Sequence, residues 1–387
     1  MVAGFAGSSN GPIEGEAALV KDGIRVAQSE EEKEAVYRFR YEIYVAEMGR
    51  YRGAADHERR VFFEPEDETA RIFYAAHGGK VVATSRMSWG GDAPFTERLI
   101  DHYMLHHFLD ELPEDAMAVG ERGMVDPALR GSPIFTELGK KTSEFIRENR
   151  VQLIFGACEP HLLSRYVSHG SRTFSKKNIN SSEAGYLIPI VSVVEDVEYL
   201  RRIGSPSALT AIDRGADARI PDCVDRLITK SRNVMSERLV GPDIYLHEVQ
   251  DALGDLVENR FSVLDGLEEE EAERVLGKSN IIECAEGDQI IKKGGVSRNM
   301  FVVLEGHFEV RDGESLIRVF SPGDIFGEMA FLLEQPRNAD VYAATDGRIL
   351  SLSEGTMRKS ITSDSEVAAH VLLNVAKILC MRVLAKQ

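Results

Sequence analysis

The first part of the chain alternates between two hydrophobic periods. Apolar residues recur there at helical spacing in some segments and at strand spacing, or in continuous apolar runs, in others. Ser29 followed by three glutamates suits the start of a helix, and Gly78-Gly79 suits a hairpin turn. The order of elements predicts an α/β (α+β) domain around one mostly antiparallel sheet. The predicted helices cover 29–49, 96–112, 133–150 and 159–170, and the predicted strands cover 71–77, 80–89, 118–125, 151–158 and 184–193.

The pattern changes beyond residue 262. Short strands alternate there with turns that contain glycine, such as Gly287, Gly306 and Gly323, and this cadence predicts an antiparallel roll. An amphipathic helix from about Glu366 follows the roll. Before it, a stretch rich in Gly, Ser and Asp leads into helical spacing. We therefore divide the sequence into a flexible tail (1–23), an α/β domain (24–204), a helical connector (205–260) and a roll with flanking helices (261–387).

Composition excludes several classes of partner. The chain has 46 Lys and Arg against 63 Asp and Glu, a formal net charge of -17, which disfavours nucleic acid and anionic lipid. The four cysteines are scattered without a CxxC pair, which is typical of reduced thiols in a cytoplasmic protein. The N-terminus lacks a basic region followed by an apolar one, and no apolar stretch runs uninterrupted for about 18 residues. The sequence thus predicts neither a signal peptide nor a membrane span.

One segment of the roll carries a specific chemical pattern. Residues 326–339 read FGEMAFLLEQPRNA. A glycine lets backbone N–H groups approach a phosphate, a glutamate can accept hydrogen bonds from ribose, and an arginine nine residues later can hold phosphate oxygens. The pattern resembles the phosphate-binding cassette of cyclic nucleotide-binding domains, over about residues 262–387. The resemblance implies that Glu328 binds the ribose 2′-hydroxyl and Arg337 the cyclic phosphate, with further contacts from Gly327, Met329, Ala330 and Asn338.

The resemblance does not decide whether the nucleotide carries adenine or guanine. Asn338 stands where threonine favours cGMP in that family, so the effector is cAMP by default, or cGMP. An alternative interpretation is a roll that kept its fold and lost its ligand. Only one helix follows the roll, which leaves no room for the helix-turn-helix of the family's transcription factors, and the region is net acidic. DNA binding is therefore disfavoured.

A loop in the first part resembles an anion cradle. The segment VDPALRGSPI, starting at Val125, follows a predicted strand and opens a helix, where free backbone N–H groups bind anions. Arg130 adds charge and Gly131 adds access. The segment resembles motif A of the GNAT acyltransferase superfamily, which implies that Val125, Arg130, Gly131 and Ser132 bind an acyl donor. Tyr166 begins a Y-x-x-x-G element similar to one of that superfamily, and the similarity implies that it protonates the departing thiolate.

Further positions resemble one branch of the GNAT fold, the autoinducer synthases and N-acyl amino acid synthases, which move fatty acyl groups from acyl carrier protein. They are Arg40, Asp67, Arg86 and the pair Glu121-Arg122. Arg40, Asp67 and Arg86 are predicted to form a substrate-binding network or, alternatively, a purely structural one. Glu121 is the candidate general base for an acceptor amine. Its alternative is a salt bridge with a neighbouring arginine, and the alternative for Tyr166 is a core tyrosine.

These observations predict a cyclic-nucleotide-regulated N-acyltransferase. The acyl donor would be acyl-CoA or acyl carrier protein, and the acceptor a small amine or a protein lysine. The alternative is a non-enzymatic cyclic nucleotide sensor whose relic acyltransferase fold binds a partner. No metal is expected, because His102 and His106 have helical i,i+4 spacing without a third ligand. A homodimer is compatible with the sequence.

Overall fold

The computed structural model describes most of the chain. The tail predicted over 1–23 lies outside the described residues apart from its last two positions, and so does much of the predicted connector. The described residues are 22–175, 177–181, 183, 185–194, 196–205, 208, 220–229, 233–254, 263–276, 279–295, 297–333 and 335–384.

The described elements alternate first between helices and strands and then between short strands. The α-helices are α1 Glu30–Arg40, α2 Glu97–His102, α3 His106–Leu109, α4 Ile134–Glu148, α5 Leu163–Ser168, α6 Val197–Arg202, α7 Glu237–Val240, α8 Pro242–Gly254, α9 Glu269–Leu276, α10 Glu328–Leu333, α11 Glu354–Ser363 and α12 Ser365–Leu384. The strands are β1 Gly23–Val26, β2 Arg71–His77, β3 Lys80–Trp89, β4 Met117–Val125, β5 Leu153–Cys158, β6 Ser171–Thr173, β7 Ile179–Ser181, β8 Gly185–Val193, β9 Val234–Met235, β10 Asn280–Cys284, β11 Gln289–Ile291, β12 Asn299–Glu305, β13 Phe308–Asp312, β14 Ser315–Phe320, β15 Ile325–Phe326, β16 Asp340–Ala343 and β17 Gly347–Ser353. Turns of π- and 3₁₀-helix occupy Tyr41–Glu47, Pro65–Glu68, Glu114–Ala116, Pro127–Leu129, Pro160–Leu162 and Asp225–Thr229.

The chain divides into two compact units, and their boundary differs from the predicted domain boundaries. The first unit holds Met1–Glu47, Arg52–Met87 and Arg122–Glu148. The second unit holds Met48–Tyr51, Ser88–Glu121 and Asn149–Gln387, so it combines part of the predicted α/β domain with the roll.

The first unit begins with a capped helix and an antiparallel meander. Ser29 is the predicted N-cap of α1, and it forms a capping box with Glu32. The helix changes to a π-helix at Tyr41, whereas the sequence predicted one helix as far as Gly49. Strands β1, β2 and β3 pair antiparallel in that order, and β2 and β3 turn at the predicted glycines. Helix α4 packs on β1 and β2, and its buried Leu138 faces inward by helical periodicity.

The α/β part of the second unit contains the parallel pairing in this region. Strand β4 pairs in parallel with β5 from Met117 opposite Leu153 to Val119 opposite Phe155. Strand β5 then pairs antiparallel with β8, which also pairs with β6 and β7. The helix predicted over 96–112 is two short helices, because Met104 adopts a left-handed φ of 52° that no helix interior accommodates.

The roll consists of two sheets. One has the strand order β15-β12-β17-β10-β9, and the other has the order β11-β16-β13-β14. Strand β9 pairs with β10 although it lies in the segment predicted as a helical connector. Helices α8, α9 and α12 pack with the first sheet in one apolar cluster, around Val302 and Leu350. The flanking helices predicted from the sequence are therefore present, but part of the predicted connector belongs to the roll.

The apolar core of the second unit runs through both of its parts. Leu163, Val167 and Ile188 of the α/β part share one buried cluster with Phe301 and Phe326 of the roll. Hydrogen bonds add to this apolar contact. Asn178 Nδ2 donates to the carbonyl of Glu283 at 2.9 Å, and Asn180 Nδ2 donates to Asp288 Oδ1 at 2.9 Å. The roll and strands β5 to β8 are thus packed as one body.

Helix α12 is the one described helix whose length and composition would allow it to cross a membrane. An 18-residue window in it has a mean hydropathy of 1.7, and 33% of that window is buried. Core helices also reach this composition, so a single such helix is weak evidence for a membrane span. The buried residues Val371, Asn374 and Val375 hold one face of α12 in the second unit.

Candidate functional site

The predicted phosphate cassette forms a tight cradle between β15 and α10. Gly327 lies between these elements with a φ of 79°, a conformation that glycine adopts without steric cost. A Cβ atom at this position would lie 2.6 Å from an Arg337 Nη atom and 2.8 Å from the carbonyl oxygen of Asn299. Only glycine therefore fits between the arginine and the strand, which explains the FGE pattern.

Arg337 is the buried cation of this site. Its side chain is only 4% exposed, and its two Nη atoms donate to the carbonyls of Gly327 at 2.8 Å and Asn299 at 2.6 Å. Its backbone N–H donates to Gly295, and Gly294 donates to its carbonyl, which fixes the residue against the turn after β11. Burial lowers the pKa of Arg337 to about 10, with Glu159 and Glu328 acting in the opposite direction. The site therefore presents a buried, positively charged guanidinium, which suits an anionic ligand.

The remaining cassette residues surround the cradle at different depths. Glu328 begins α10 and pairs with Arg382 of α12 at 3.4 Å. Ala330 is buried, whereas Met329 is 47% exposed. Asn338 donates from Nδ2 to the Met329 sulfur at 3.1 Å. The structure thus brings all six predicted nucleotide-binding residues to one region of the roll.

Sequence reasoning missed several contributors to this site. Asn299 begins β12, and its carbonyl accepts a hydrogen bond from Arg337. Arg382 of α12 contacts Glu328, from which it is 54 positions away in the sequence. Backbone carbonyls carry no sequence signal, because every residue has one. The glycine pair Gly294-Gly295 was the available signal, since it marks a turn against which the arginine is held.

The predicted arginine–carboxylate network of the first unit is present and buried. Arg40 forms two hydrogen bonds to Asp67 at 2.8 Å, and Arg86 lies 3.3 Å from the same carboxylate. Burial alone would raise the pKa of Asp67, but Arg40 and Arg86 hold it below its usual range. Glu64 forms ion pairs with both Arg86 and Arg122. These contacts agree with either a substrate-binding or a structural network.

Glu121 lies in the second unit, and its carboxylate already has protein partners. Its carboxylate pairs with Arg98 at 3.0 Å and accepts a hydrogen bond from the Tyr103 hydroxyl at 3.0 Å. The alternative interpretation, a salt bridge with a neighbouring arginine, therefore describes this structure. A carboxylate with these partners acts as a general base only when the substrate displaces one of them.

Tyr166 also has a packing role in the structure. It is partly buried and packs against the apolar cluster shared with the roll, and its backbone carbonyl accepts from His169. This placement matches the alternative of a core tyrosine.

The predicted anion cradle of the first unit is closed on itself. The loop after β4 forms a 3₁₀ turn over Pro127–Leu129, and α4 begins at Ile134. Arg130 pairs with Glu47 at 2.8 Å, and Gly131 has a φ of 90°. The expectation of free N–H groups is therefore wrong for the amides that donate within the loop, which are those of Ala128, Leu129, Arg130, Ser132 and Ile134.

No cluster of three or more His, Cys, Asp and Glu side chains suited to a metal ion occurs among the described residues. The ring centroids of His106 and His107 lie 3.9 Å apart with the rings tilted by 52°, and the His102 ring contacts Tyr103.

Comparison with known proteins identifies the roll. Residues 281–364 match the family model described as "Cyclic nucleotide-binding domain". Over 106 residues the chain is 32% identical to the cAMP-dependent protein kinase type II regulatory subunit of Drosophila melanogaster. Over 157 residues it is 24% identical to the cGMP-dependent protein kinase of Plasmodium berghei. The C-terminal part of this chain is therefore a cyclic nucleotide-binding domain.

These similarities are local. The two matches cover 27% and 35% of this chain, and 28% and 18% of the respective relatives. A crystal structure of a cyclic nucleotide-binding domain from Methylobacillus flagellatus covers 40% of this chain and 85% of its own, with 18% identity and a TM-score of 0.34. The matched family segment lies within the roll, so the GNAT resemblance of the N-terminal part stays a prediction.

Proposed function

We propose that this chain is a cyclic-nucleotide-responsive N-acyltransferase. In this proposal cAMP or cGMP binds the roll at Arg337 and Glu328, and the α/β part transfers an acyl group from acyl-CoA or acyl carrier protein to a small amine or a protein lysine. The observation that carries the regulatory half is the buried Arg337 guanidinium with Gly327 packed closely against it. Its burial favours a ligand with a compact negative charge, because a buried cation without an anion is costly.

The catalytic half rests on the end of the parallel pairing in the second unit. Strands β4 and β5 pair only as far as Val119 and Phe155, and Glu121 lies two residues beyond that point on β4. Backbone N–H groups past the end of a parallel pairing can bind an oxyanion, and a carboxylate at that end can accept a proton from an amine. Arg98 and Tyr103 then orient the Glu121 carboxylate until the amine arrives.

A non-enzymatic sensor is the second candidate. It is favoured by the packing of Tyr166 in the shared core and by the loop amides that bond to their own loop. In that case the α/β part is a relic fold that presents a surface to a partner when nucleotide binds.

Two measurements on the full chain separate these candidates. Calorimetric titration with cAMP and with cGMP measures nucleotide binding. Mass spectrometry of mixtures with acyl-CoA or acyl carrier protein and an amine panel measures transfer, with and without saturating nucleotide. We expect nucleotide to change donor affinity or turnover by about 5- to 150-fold. Binding without any acyl product from any donor would leave the sensor as the function.

A matched pair of variants tests whether Glu121 is the general base. Glu121→Gln is expected to lower turnover about 10²-fold or more, because an amide cannot accept the proton. The control is Glu97→Gln, which removes an exposed carboxylate from α2 in the same unit and leaves turnover unchanged. Equal rates in the two variants would remove Glu121 from the mechanism.

A further inference from the structure

A turn of the α/β part lies against the nucleotide-binding roll. The 3₁₀ turn Pro160–Leu162 follows β5 and contacts β17. Leu162 packs on the apolar cluster that includes Phe326, the residue before Gly327. The turn lies outside residues 281–364, the segment that matches the family. Glu159, which immediately precedes the turn, and His161 within it carry ionisable side chains.

These side chains form a charged group with Arg50. The Glu159 carboxylate lies 2.9 Å from the Arg50 guanidinium and 3.6 Å from His161 Nδ1. Only 12% of the Arg50 side chain and 14% of the Glu159 side chain are exposed, so water screens the group weakly. Burial lowers the pKa of His161, Glu159 opposes this shift, and both Arg50 and Arg337 add to it. The charge on Arg337 therefore acts on the His161 side chain in the turn.

The turn region also acts electrostatically on Arg337. Among the charges that act on Arg337, Glu159 has a larger effect than Glu328, the ribose-binding glutamate of the cassette. In the part of the chain that the structure describes, Arg337 Nε and His161 Nδ1 are buried without a hydrogen-bond partner. The turn and the cradle thus share one electrostatic environment, in which Glu159 is the principal anion.

We propose that Glu159, with Arg50 and His161, senses the cyclic phosphate and passes the signal to β5 and α5. The inference rests on the proposed binding of cyclic nucleotide at Arg337. A cyclic phosphate carries one negative charge, which replaces Glu159 as the anionic neighbour of Arg337. It repels Glu159 and attracts Arg50. Because Glu159 follows the last residue of β5 and Leu163 begins α5, a shift of this turn moves the elements next to the predicted catalytic region.

Substitutions that remove or keep single charges of this group test the sensor. Glu159→Gln removes a charge that repels the phosphate, and we expect cAMP and cGMP to bind the full chain about 10-fold more tightly. Arg50→Gln removes an attractive charge, and binding is expected to weaken by a similar factor. Arg50→Lys keeps the charge and should stay near the parent affinity. Glu314→Gln, at an exposed position in the β13–β14 hairpin, controls for net charge.

The opposite signs are the decisive readout, because loss of packing would weaken binding in both variants. Equal affinities in Glu159→Gln, Arg50→Gln and Glu314→Gln, or weaker binding in both sensor variants, would overturn the sensor while nucleotide binding itself stands. Failure of the parent chain to bind either nucleotide would instead overturn the proposed function.

Hydrogen exchange supplies a measurement that does not depend on folding of the single variants. Saturating cAMP or cGMP should change amide exchange in 159–168 of the parent chain. The double variant Arg50→Gln/Glu159→Gln, which removes the pair together, should lose that change and keep nucleotide binding. Unchanged exchange in the parent chain at saturation would also overturn the proposal.

Discussion

At the scale of single residues, Arg337 is the residue that we propose binds the cyclic phosphate. Its guanidinium holds two backbone carbonyls and is the buried cation of the cradle. Arg337→Ala is expected to weaken cyclic nucleotide binding at least 30-fold, because losing a buried charged partner costs about 2–5 kcal/mol. Calorimetry measures the change. Arg358→Ala, which removes an exposed arginine from α11, is the matched control and should bind as the parent does.

Arg337→Lys separates ligand binding from folding of the roll. Lysine keeps the charge but cannot hold two carbonyls and a phosphate together. An intermediate affinity is expected, with a thermal transition closer to that of the parent chain. Full affinity in the alanine variant would show that phosphate binds elsewhere.

His161 predicts a pH dependence of stability. Burial holds the pKa of His161 below its unfolded value of 6.5, so between the two pKa values the unfolded chain binds more protons than the folded chain. Stability therefore falls as pH drops through the unfolded pKa, and this loss is absent above it. We expect the free energy of unfolding, measured by urea titration from pH 7.5 to 5.5 without nucleotide, to fall less steeply in His161→Gln. Parallel pH profiles of parent and variant would contradict this.

At the scale of elements, Asn374 fixes the apolar helix α12 to the second unit. Its side chain is fully buried, and Nδ2 donates to the carbonyls of Asp265 at 2.8 Å and Val263 at 3.3 Å. Asn374→Ala leaves these carbonyls without their donor, so we expect a loss of about 1–3 kcal/mol in the free energy of unfolding. Leu373→Ala changes the adjacent residue, which is 55% exposed, and should change stability by about 0.5 kcal/mol or less.

Chemical denaturation of the two variants measures the difference. Equal stability in Asn374→Ala and Leu373→Ala would mean that α12 is not held by this contact. In that case its apolar composition would need another explanation, such as the membrane contact that its length allows.

At the scale of the whole molecule, the shared core predicts that nucleotide stabilises more than the roll. Trp89 is the single tryptophan and lies in the α/β part of the second unit, where Nε1 donates to the Asp115 carbonyl at 2.8 Å. Thermal unfolding followed by its fluorescence should shift upward with cyclic nucleotide at 100 times its dissociation constant, which adds about 2.7 kcal/mol. Arg337→Ala should lack the shift. A shift in circular dichroism without one in Trp89 fluorescence would show that the roll unfolds separately.

Much of this organisation was predictable because it depends on short-range chemistry. The capping box at Ser29, the hairpin at Gly78-Gly79 and the cassette from Gly327 to Arg337 each require certain residue types at fixed spacing. The family match confirms the domain and covers the cassette residues. The strand β9 within the predicted connector was harder to predict, because its two residues are too few to show a hydrophobic period.

The sequence by itself determined the roll, its phosphate cassette and the acidic balance of the chain, since spacing and composition encode these locally. Only the tertiary structure decided that Glu121 pairs with Arg98, that the loop after β4 satisfies its own amides, and that Glu159 acts on Arg337. Glu159 and Arg337 are 178 positions apart, and hydrophobic periodicity records which face of an element is buried but not what covers it. The partner of a buried charge is set by how distant segments pack, and that is information only the folded chain holds.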